Sequence, residues 1–242
     1  KFRIEGIKST NPVAAGDHVV FEVETNGDQT IGVINKIATR DNYIIRKSVN
    51  LSKQTHIIAA NVDIAFLLVT LNNPPTFTPF IDRFLVTAQA YHIKAVLLFN
   101  KIDTYNEDQT LEIKYLAALY RSIGYECVGI SAKTGKNIDK VKQMMSGKVS
   151  MFSGHSGVGK STLVNALEPT LELKTSEIST QHSQGQHTTT FAEMYDLSFG
   201  AQIIDTPGIK GFGVVEVEKQ ELGNYFPEIF ELKDQCKFNN CL

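Results

Sequence analysis

The fold of this chain is decided by residues 154–161, which read Gly154-His155-Ser156-Gly157-Val158-Gly159-Lys160-Ser161. The stretch matches the pattern G-x-x-x-x-G-K-[ST], follows a predicted strand at residues 149–153 and precedes a predicted helix at residues 162–167. In that setting glycines let successive backbone N–H groups surround a phosphate, and the helix N-terminus adds a favourable dipole. We therefore predict an α/β fold with a phosphate-binding loop whose contacts extend to Thr162. Lys160 is expected to reach the β- and γ-phosphates, and Ser161 to ligate Mg²⁺.

Two motifs upstream of this loop predict a pocket for guanine. They read Asn100-Lys101-Ile102-Asp103 and Ser131-Ala132-Lys133, and each directly follows a predicted buried strand. Asp103 can accept hydrogen bonds from N1–H and the exocyclic amine of guanine, a pair of donors that adenine lacks. Asn100 is expected to brace the loop, Lys101 to pack along the base, and the Ala132 amide to face the guanine oxygen. The alternative is an adenine-specific P-loop kinase in which N-K-x-D occurs by chance.

A fourth motif lies downstream, where Asp205-Thr206-Pro207-Gly208 matches the D-x-x-G element. Asp205 is expected to hold the hydration shell of Mg²⁺, and the amide of Gly208 to sense the γ-phosphate. The intervening segment 185–190 can supply a threonine that closes on Mg²⁺, and Thr189 is favoured over its neighbours. The alternative is a Ser/Thr-rich loop without a metal contact.

The order of these motifs predicts a circularly permuted GTPase. Ordinary GTPases have the phosphate loop first and the base-reading motifs last, whereas here the base-reading motifs come first. The same sheet can form if a helix at residues 138–145 leads through Ser146-Gly147-Lys148 into the strand before the phosphate loop. The segment after Asp205 then leads directly into the C-terminal region, so that a shift sensed at the γ-phosphate could pass along the backbone.

The composition is that of an ordinary globular protein. The chain has 242 residues, 42% hydrophobic and 21% charged, with a formal net charge of -2. This charge does not indicate general nucleic-acid binding, so any RNA contact must be local. The longest apolar run, at residues 64–71, is too short to span a membrane, and we expect a cytoplasmic monomer without a membrane partner. Three cysteines do not form a disulfide framework.

The first 53 residues predict a small antiparallel β-domain. Short apolar segments are separated by turn residues such as those at 26–28, which favours a five-stranded barrel. Basic residues, among them Lys36 and Arg40, surround Tyr43 and His56. A solvated barrel surface and a nucleic-acid face both fit this pattern.

On these motifs the sequence resembles the RsgA (YjeQ) family of ribosome-small-subunit-dependent GTPases, over nearly the whole chain. The resemblance implies an OB-fold-like β-barrel at residues 1–55, a permuted GTPase domain at 56–215 and the start of a C-terminal zinc-binding region at 216–242. It further implies GTP hydrolysis in late maturation of the small (30S) ribosomal subunit, with that subunit and its rRNA as partners. A GTP-regulated RNA-binding switch with negligible turnover of its own is the alternative function.

The resemblance also implies one Zn²⁺ per monomer, held by a C-x₄-C pair, a histidine and a further cysteine. Cys236 and Cys241 match the pair, so the sequence contains half of the tetrahedral site. Ile209 stands where many GTPases have a water-orienting glutamine, a trait the family shares, and slow intrinsic turnover is expected. His187 is the nearest polar candidate for catalysis, and it could instead only pack or bind RNA.

Overall fold

The strands and helices that alternate from residue 61 onward form one sheet with helices on both faces. The computed structural model describes residues 12–26, 29–47, 55–171, 192–205 and 220–235. Its strands are β1 Val19–Asn26, β2 Gln29–Ile37, β3 Tyr43–Lys47, β4 Thr55–Ala60, β5 Ile64–Val69, β6 Lys94–Phe99, β7 Glu126–Gly129, β8 Val149–Ser153, β9 Glu193–Leu197 and β10 Ala201–Asp205. Its longer helices are α1 Thr78–Ala90, α2 Glu107–Ser122, α3 Ile138–Met145 and α4 Lys160–Leu167.

The main sheet has the strand order β7-β6-β5-β8-β10-β9. The first five of these strands run parallel, and β9 pairs with β10 in the antiparallel direction at the edge. The carboxyl ends of the parallel strands therefore meet at one edge of the sheet, where ligands bind in open α/β folds. The phosphate loop follows the central strand β8, and each of the other three motifs follows or completes another parallel strand.

The strand β5 divides its side chains between two hydrophobic cores. Its odd-numbered residues from 65 to 69 pack with α1 and α2, and its even-numbered residues from 64 to 68 pack with α3 and α4. Every residue of β5 is buried. A strand that is apolar on both faces is typical of a parallel sheet covered by helices on both sides.

The predicted permuted connection is present. Helix α3 leads into β8 through residues 146–148, and Gly147 adopts a positive φ of 68° in this turn. The N–H of Gly147 donates to the carbonyl of Gly200 at 2.8 Å, which ties the turn to the β9–β10 connection. The chain therefore enters the strand before the phosphate loop from the helix that follows the S-A-K motif.

Several element bounds differ from the sequence-based expectations. The spacing of apolar residues predicts a helix at residues 111–123, whereas α2 begins earlier, at Glu107, because Asn106 and Gln109 form a reciprocal capping box. Strands β4 and β9 were not predicted. β9 is an edge strand with partly exposed residues, so it lacks the continuous apolar run that marks the central strands.

The N-terminal strands form two antiparallel pairs, β1 with β2 and β3 with β4. Among the described residues these pairs are separate two-stranded sheets, so closure into a five-stranded OB-like barrel stays a prediction. Strand β4 begins at Thr55 and crosses the boundary expected between residues 55 and 56. The domain bounds 1–55, 56–215 and 216–242 likewise stay predictions.

Two asparagines join the N-terminal strands to the main sheet. The side chain of Asn42 donates to the carbonyl of Val62 and accepts from its N–H, each at 2.9 Å. Asn61 donates to the carbonyl of Gly16 at 2.8 Å. The two regions are therefore connected by side-chain hydrogen bonds as well as by the chain itself.

Arg40, one of the basic residues of this region, is used internally. Its guanidinium donates to both carboxylate oxygens of Asp17, and the two side chains are only 7% and 1% exposed. A buried, bidentate pair of this kind does not contribute to a basic surface. The nucleic-acid face considered for this region therefore loses Arg40.

The C-terminal described segment contains short helical turns. They are Leu222–Tyr225, Pro227–Phe230 and Lys233–Gln235, and the first of them packs against α1. Another short turn, Pro169–Leu171, follows α4. None of the helices in the described ranges is long and apolar enough to cross a membrane.

Candidate nucleotide-binding site

The phosphate loop requires glycine at two positions for steric reasons. Gly154 has a φ of 143°, and a Cβ there would lie 2.9 Å from the carbonyl oxygen of Leu68. Gly159 has a φ of 99°, and a Cβ there would lie 2.5 Å from the side-chain nitrogen of Asn100. A larger residue would force the loop away from its neighbours, so the glycines are what permit the close backbone approach.

Lys160, the first residue of α4, turns its ammonium group back into the loop. Its Nζ donates to the carbonyls of Gly154 and His155 at 2.7 and 2.8 Å. Burial lowers the pKa of Lys160, and the nearby negative charge of Asp205 opposes that shift. The lysine predicted to meet the phosphates and the aspartate of the D-x-x-G motif therefore lie close together.

Asn100 connects three of the four motifs. Its Nδ2 donates to the carbonyl of Val158 in the phosphate loop at 2.8 Å, and its Oδ1 accepts from the N–H of Ala132 at 3.0 Å. The residue is 2% exposed. One buried amide thus sets the phosphate loop, the N-K-x-D loop and the S-A-K loop relative to one another.

The amide of Ala132, expected to face the guanine oxygen, already has a partner within the protein. It would have to share or exchange its bond to Asn100 to serve a base. The hydroxyl of the neighbouring Ser131 accepts from the N–H of Thr134 at 3.1 Å, which holds the turn of the S-A-K loop. Lys133 is exposed.

Lys101 bridges two loops with its ammonium group. With a φ of 65°, it directs Nζ to the carbonyls of Asn73 and Gly157, the latter at 2.8 Å. Burial lowers the pKa of Lys101, and the charge of Asp103 opposes that shift. Asp103 itself is exposed. Ile102 lies behind it, beside Gly129.

The loop between β5 and α1 also belongs to the site, although none of the four sequence motifs predicts it. Besides Asn73, this loop contributes Leu71, whose N–H donates to the hydroxyl of Tyr105 at 3.2 Å. That hydroxyl in turn donates to the carbonyl of Asn100 at 2.8 Å. The signal was present, because a turn reading Asn72-Asn73-Pro74-Pro75 directly follows a buried strand whose carboxyl end lies at the site edge.

Ser161 and Asp205 fit a magnesium ion beside the phosphate loop. Ser161 lies in the helix that follows β8, and Asp205 is the last residue of β10, the neighbouring parallel strand. The charge of Asp205 acts on the adjacent Lys160. Hydroxyl and carboxylate oxygens suit Mg²⁺, which takes its other ligands from water and phosphate. Within the described ranges no group of three or more His, Cys, Asp or Glu residues could hold a metal by itself.

Several predicted residues lie outside the part of the chain that the structure describes. They are His187, Thr189, Gly208, Cys236 and Cys241. The structure therefore brings together the phosphate loop, both base-reading motifs and Asp205, while the roles assigned to these five residues rest on sequence.

Comparisons with known proteins agree with the permuted arrangement. The family described as RsgA GTPase matches residues 37–215. A protein of Christiangramia forsetii named small ribosomal subunit biogenesis GTPase RsgA is 72% identical over the whole chain and 77% of its own length. A protein of Flavobacterium psychrophilum with the same name is 66% identical over the whole chain and 74% of its own length.

Two solved structures have the same fold. YjeQ from Thermotoga maritima superposes with a TM-score of 0.73 and 34% identity, over 95% of this chain and 72% of that one. YloQ, described as a circularly permuted GTPase, gives a TM-score of 0.69 and 29% identity, over 99% of this chain and 73% of that one. The motif order, the edge at which the motifs meet and these likenesses agree, and the chain belongs to the RsgA family of circularly permuted GTPases.

Proposed function

We propose that this GTPase acts in late maturation of the small ribosomal subunit, as a cytoplasmic monomer that binds GTP with Mg²⁺. Support for the subunit comes from the names of its relatives, which state small ribosomal subunit biogenesis. Support for the nucleotide comes from Asn100, because its two hydrogen bonds hold the phosphate loop against both base-reading motifs. That single buried side chain is the observation that carries the nucleotide-binding part of the proposal.

In this proposal each motif has one task. Asp103 accepts from guanine, with residues 131–133 closing the base pocket, and the loop 154–161 with Thr162 surrounds the phosphates. Lys160 leaves its carbonyl partners for the β- and γ-phosphates, a short movement within the same loop. Ser161, Asp205 and Thr189 hold Mg²⁺ and its waters, and Gly208 senses the γ-phosphate. The bound ion neutralises charge on the transferred phosphoryl group.

The small subunit is proposed to activate hydrolysis. Ile209 stands where many GTPases orient the attacking water with glutamine, and an apolar side chain cannot do so. Turnover by the free protein is therefore slow, and His187 orients the water once the subunit is bound. The apolar Ile209 also favours the second candidate function, an RNA-binding switch with negligible turnover of its own.

The flanking regions are proposed to contact rRNA and to bind zinc. Lys36 is exposed on β2 and remains available for RNA, in contrast to the internally paired Arg40. Cys236 and Cys241 supply two of the four ligands of a tetrahedral zinc site.

The test is multiple-turnover GTP hydrolysis titrated with purified small ribosomal subunits. We expect slow turnover by the protein alone and a saturable rise of about 10²-fold or more with small subunits. The Lys160→Ala variant is the control for the site, and it should lose nucleotide binding. Large subunits are the control for the partner, and they should give no rise.

The outcomes separate the two candidates. If small subunits bind in a GTP-dependent manner but leave turnover at the basal rate, the protein is a switch without stimulated hydrolysis. If they neither bind nor stimulate while GTP is still hydrolysed, the proposed partner is wrong.

A further inference from the structure

The ring of His155, the first variable residue of the phosphate loop, packs on the ring of Phe80 in the first turn of α1. The two ring centroids lie 4.0 Å apart, with an angle of 31° between the planes. Both side chains are partly buried, and the residues at the crest of the loop, Ser156 and Gly157, are exposed. The contact is therefore more shielded from solvent than the exposed residues that follow it in the loop.

The phosphate-binding pattern does not explain this contact. It fixes glycine, lysine and a hydroxyl residue, but it leaves the position of His155 free. Phe80 in turn belongs to a helix that is anchored in the core next to it, because Ile81 is fully buried and Phe84 nearly so. At its other end α1 is held by Tyr91, whose hydroxyl accepts from the N–H of Ile45 at 3.3 Å. The loop therefore packs through this tilted ring pair on a helix that is held at both ends.

The His155–Phe80 ring contact is linked to Lys160 through the backbone carbonyl of His155. The carbonyl of His155 accepts from Lys160 Nζ at 2.8 Å and from the N–H of Val158 at 3.4 Å. Fixing the imidazole ring on α1 limits rotation about the backbone of residue 155, so it also fixes the direction of this carbonyl. His155, whose identity the pattern leaves open, thus helps to position the ammonium group of Lys160 before a nucleotide binds.

We propose that His155 is a positioning residue, whose stacking on Phe80 holds the phosphate loop and Lys160 in the arrangement that receives the β-phosphate. The inference rests on the proposed nucleotide site. It requires a flat ring at position 155 and does not require the imidazole nitrogens. It also makes α1 part of the nucleotide site, although this helix contains none of the four motifs.

The experiment measures dissociation constants for GDP and GMP by competition, using the whole chain. We expect His155→Ala and Phe80→Ala each to weaken GDP binding about three- to tenfold, as for the loss of one aromatic pair. The double variant should be no weaker than the poorer single variant, because both changes remove the same contact. His155→Phe should bind GDP as the wild type does. GMP lacks the β-phosphate and should bind all variants equally.

The control variant is Phe77→Ala, which removes an aromatic ring three residues earlier that is 68% exposed. It should bind GDP like the wild type. Thermal unfolding of each variant checks folding, and Phe80→Leu and His155→Leu, which keep bulk but remove the flat ring, replace an alanine variant that fails to fold.

Three results for GDP would overturn the inference, and a fourth concerns GMP. The three are unchanged GDP binding in His155→Ala, losses that add in the double variant, and a His155→Phe variant as weak as His155→Ala. An equal loss for GMP would also count against it, since the effect would then not concern the β-phosphate. Failure of the proposed site is a different result, in which the wild type does not bind GDP or Lys160→Ala binds it normally.

Discussion

Asn100 illustrates at the scale of a single residue why the site depends on buried polar side chains. Its amide pairs at both ends, with the carbonyl of Val158 and the N–H of Ala132, which are themselves buried. Leaving either group without a partner costs about 1–3 kcal/mol. Asn100 of the N-K-x-D motif is therefore needed to hold the loops together, whether or not it also contacts a base.

The first prediction concerns the base from which Asp103 accepts hydrogen bonds. In Asp103→Asn the carboxylate becomes an amide with one donor side, which suits the additional carbonyl of xanthine better than the exocyclic amine of guanine. We expect GTP to bind on the order of 10²-fold more weakly, from the loss of hydrogen bonds to a charged group. XTP should bind more tightly than to the wild type. Competition binding with GTP, XTP and ATP measures both changes.

The matched control is Asp108→Asn, which alters another exposed carboxylate on the first turn of α2. It should leave all three affinities unchanged. If Asp103→Asn still discriminates between GTP and ATP as the wild type does, residues 100–103 do not form the base pocket.

The second prediction concerns His187. If this imidazole orients the attacking water, His187→Ala keeps its nucleotide affinity and its binding to small subunits. It should lose stimulated turnover by about 10²-fold or more, the range expected for a general acid–base group. Turnover at saturating small subunits measures the effect, and His182→Ala, in the same segment, is the matched control. Wild-type stimulated turnover in His187→Ala would assign this residue to packing or to RNA contact.

At the scale of elements, the end of α4 is tied to the turn between β9 and β10 by Glu168. This carboxylate is 4% exposed and accepts from the N–H of Ser198 at 2.7 Å and from the hydroxyl of Thr170 at 2.6 Å. These hydrogen bonds, that of Ser198 first, lower the pKa of Glu168 to about 2. The helix that begins at the phosphate loop is thereby fixed at its other end as well.

The third prediction is the pH dependence of that contact. Because the folded-state pKa lies below the unfolded value, the contact stabilises fully above the unfolded pKa and loses its effect as pH falls toward the folded one. Glu168→Gln should therefore lower the melting temperature near neutral pH, and the difference from the wild type should shrink on acidification. Thermal unfolding from about pH 7 to about pH 3 measures it.

Glu112→Gln serves as the control for this series, because Glu112 is an exposed carboxylate on α2. Its melting temperature should follow that of the wild type at each pH. A gap between Glu168→Gln and the wild type that stays constant with pH would mean that ionised Glu168 contributes nothing through these hydrogen bonds.

At the scale of the whole molecule, the permutation places the nucleotide sensor next to the C-terminal region. Strand β10 ends at Asp205, and the chain continues from there toward the segment at 220–235, whose turn Leu222–Tyr225 packs on α1. A shift at the D-x-x-G motif would thus be passed along the backbone to a segment that touches the helix bearing Phe80. In the ordinary motif order this neighbouring segment would be the base-reading half of the domain.

The fourth prediction concerns zinc. A form of the protein extended beyond Leu242 should supply a histidine and a cysteine within about ten residues and bind one Zn²⁺ together with Cys236 and Cys241. Metal analysis of the extended protein under reducing conditions measures the stoichiometry. The double variant Cys236→Ser with Cys241→Ser should lose the metal, whereas Cys127→Ser, which changes a buried thiol in the sheet, should keep it. Absence of zinc from the extended wild type would refute the assignment.

The sequence by itself determined the chemistry and the permuted order. Glycines at 154 and 159, the lysine after them and the carboxylates at 103 and 205 can be recognised because backbone sterics and phosphate or guanine chemistry allow few substitutes. The alternation of buried strands with helices likewise predicts a parallel sheet, because helical crossovers cover both faces of such strands. Local residue patterns were sufficient wherever a local requirement was strict.

Only the tertiary structure decided which residues far apart along the chain share a contact. The Asn73 carbonyl beside Lys101, the Tyr105 hydroxyl at the Leu71 N–H and the Phe80 ring on His155 are brought together by the sheet order, across 28, 34 and 75 residues of sequence. The spacing of residues along the chain does not predict the contacts Asn73–Lys101 and Phe80–His155, because each of these residues could pack equally well with many other partners. The packing of α1 and of the β5–α1 loop against the phosphate loop selects one partner for each, and that selection completes the site.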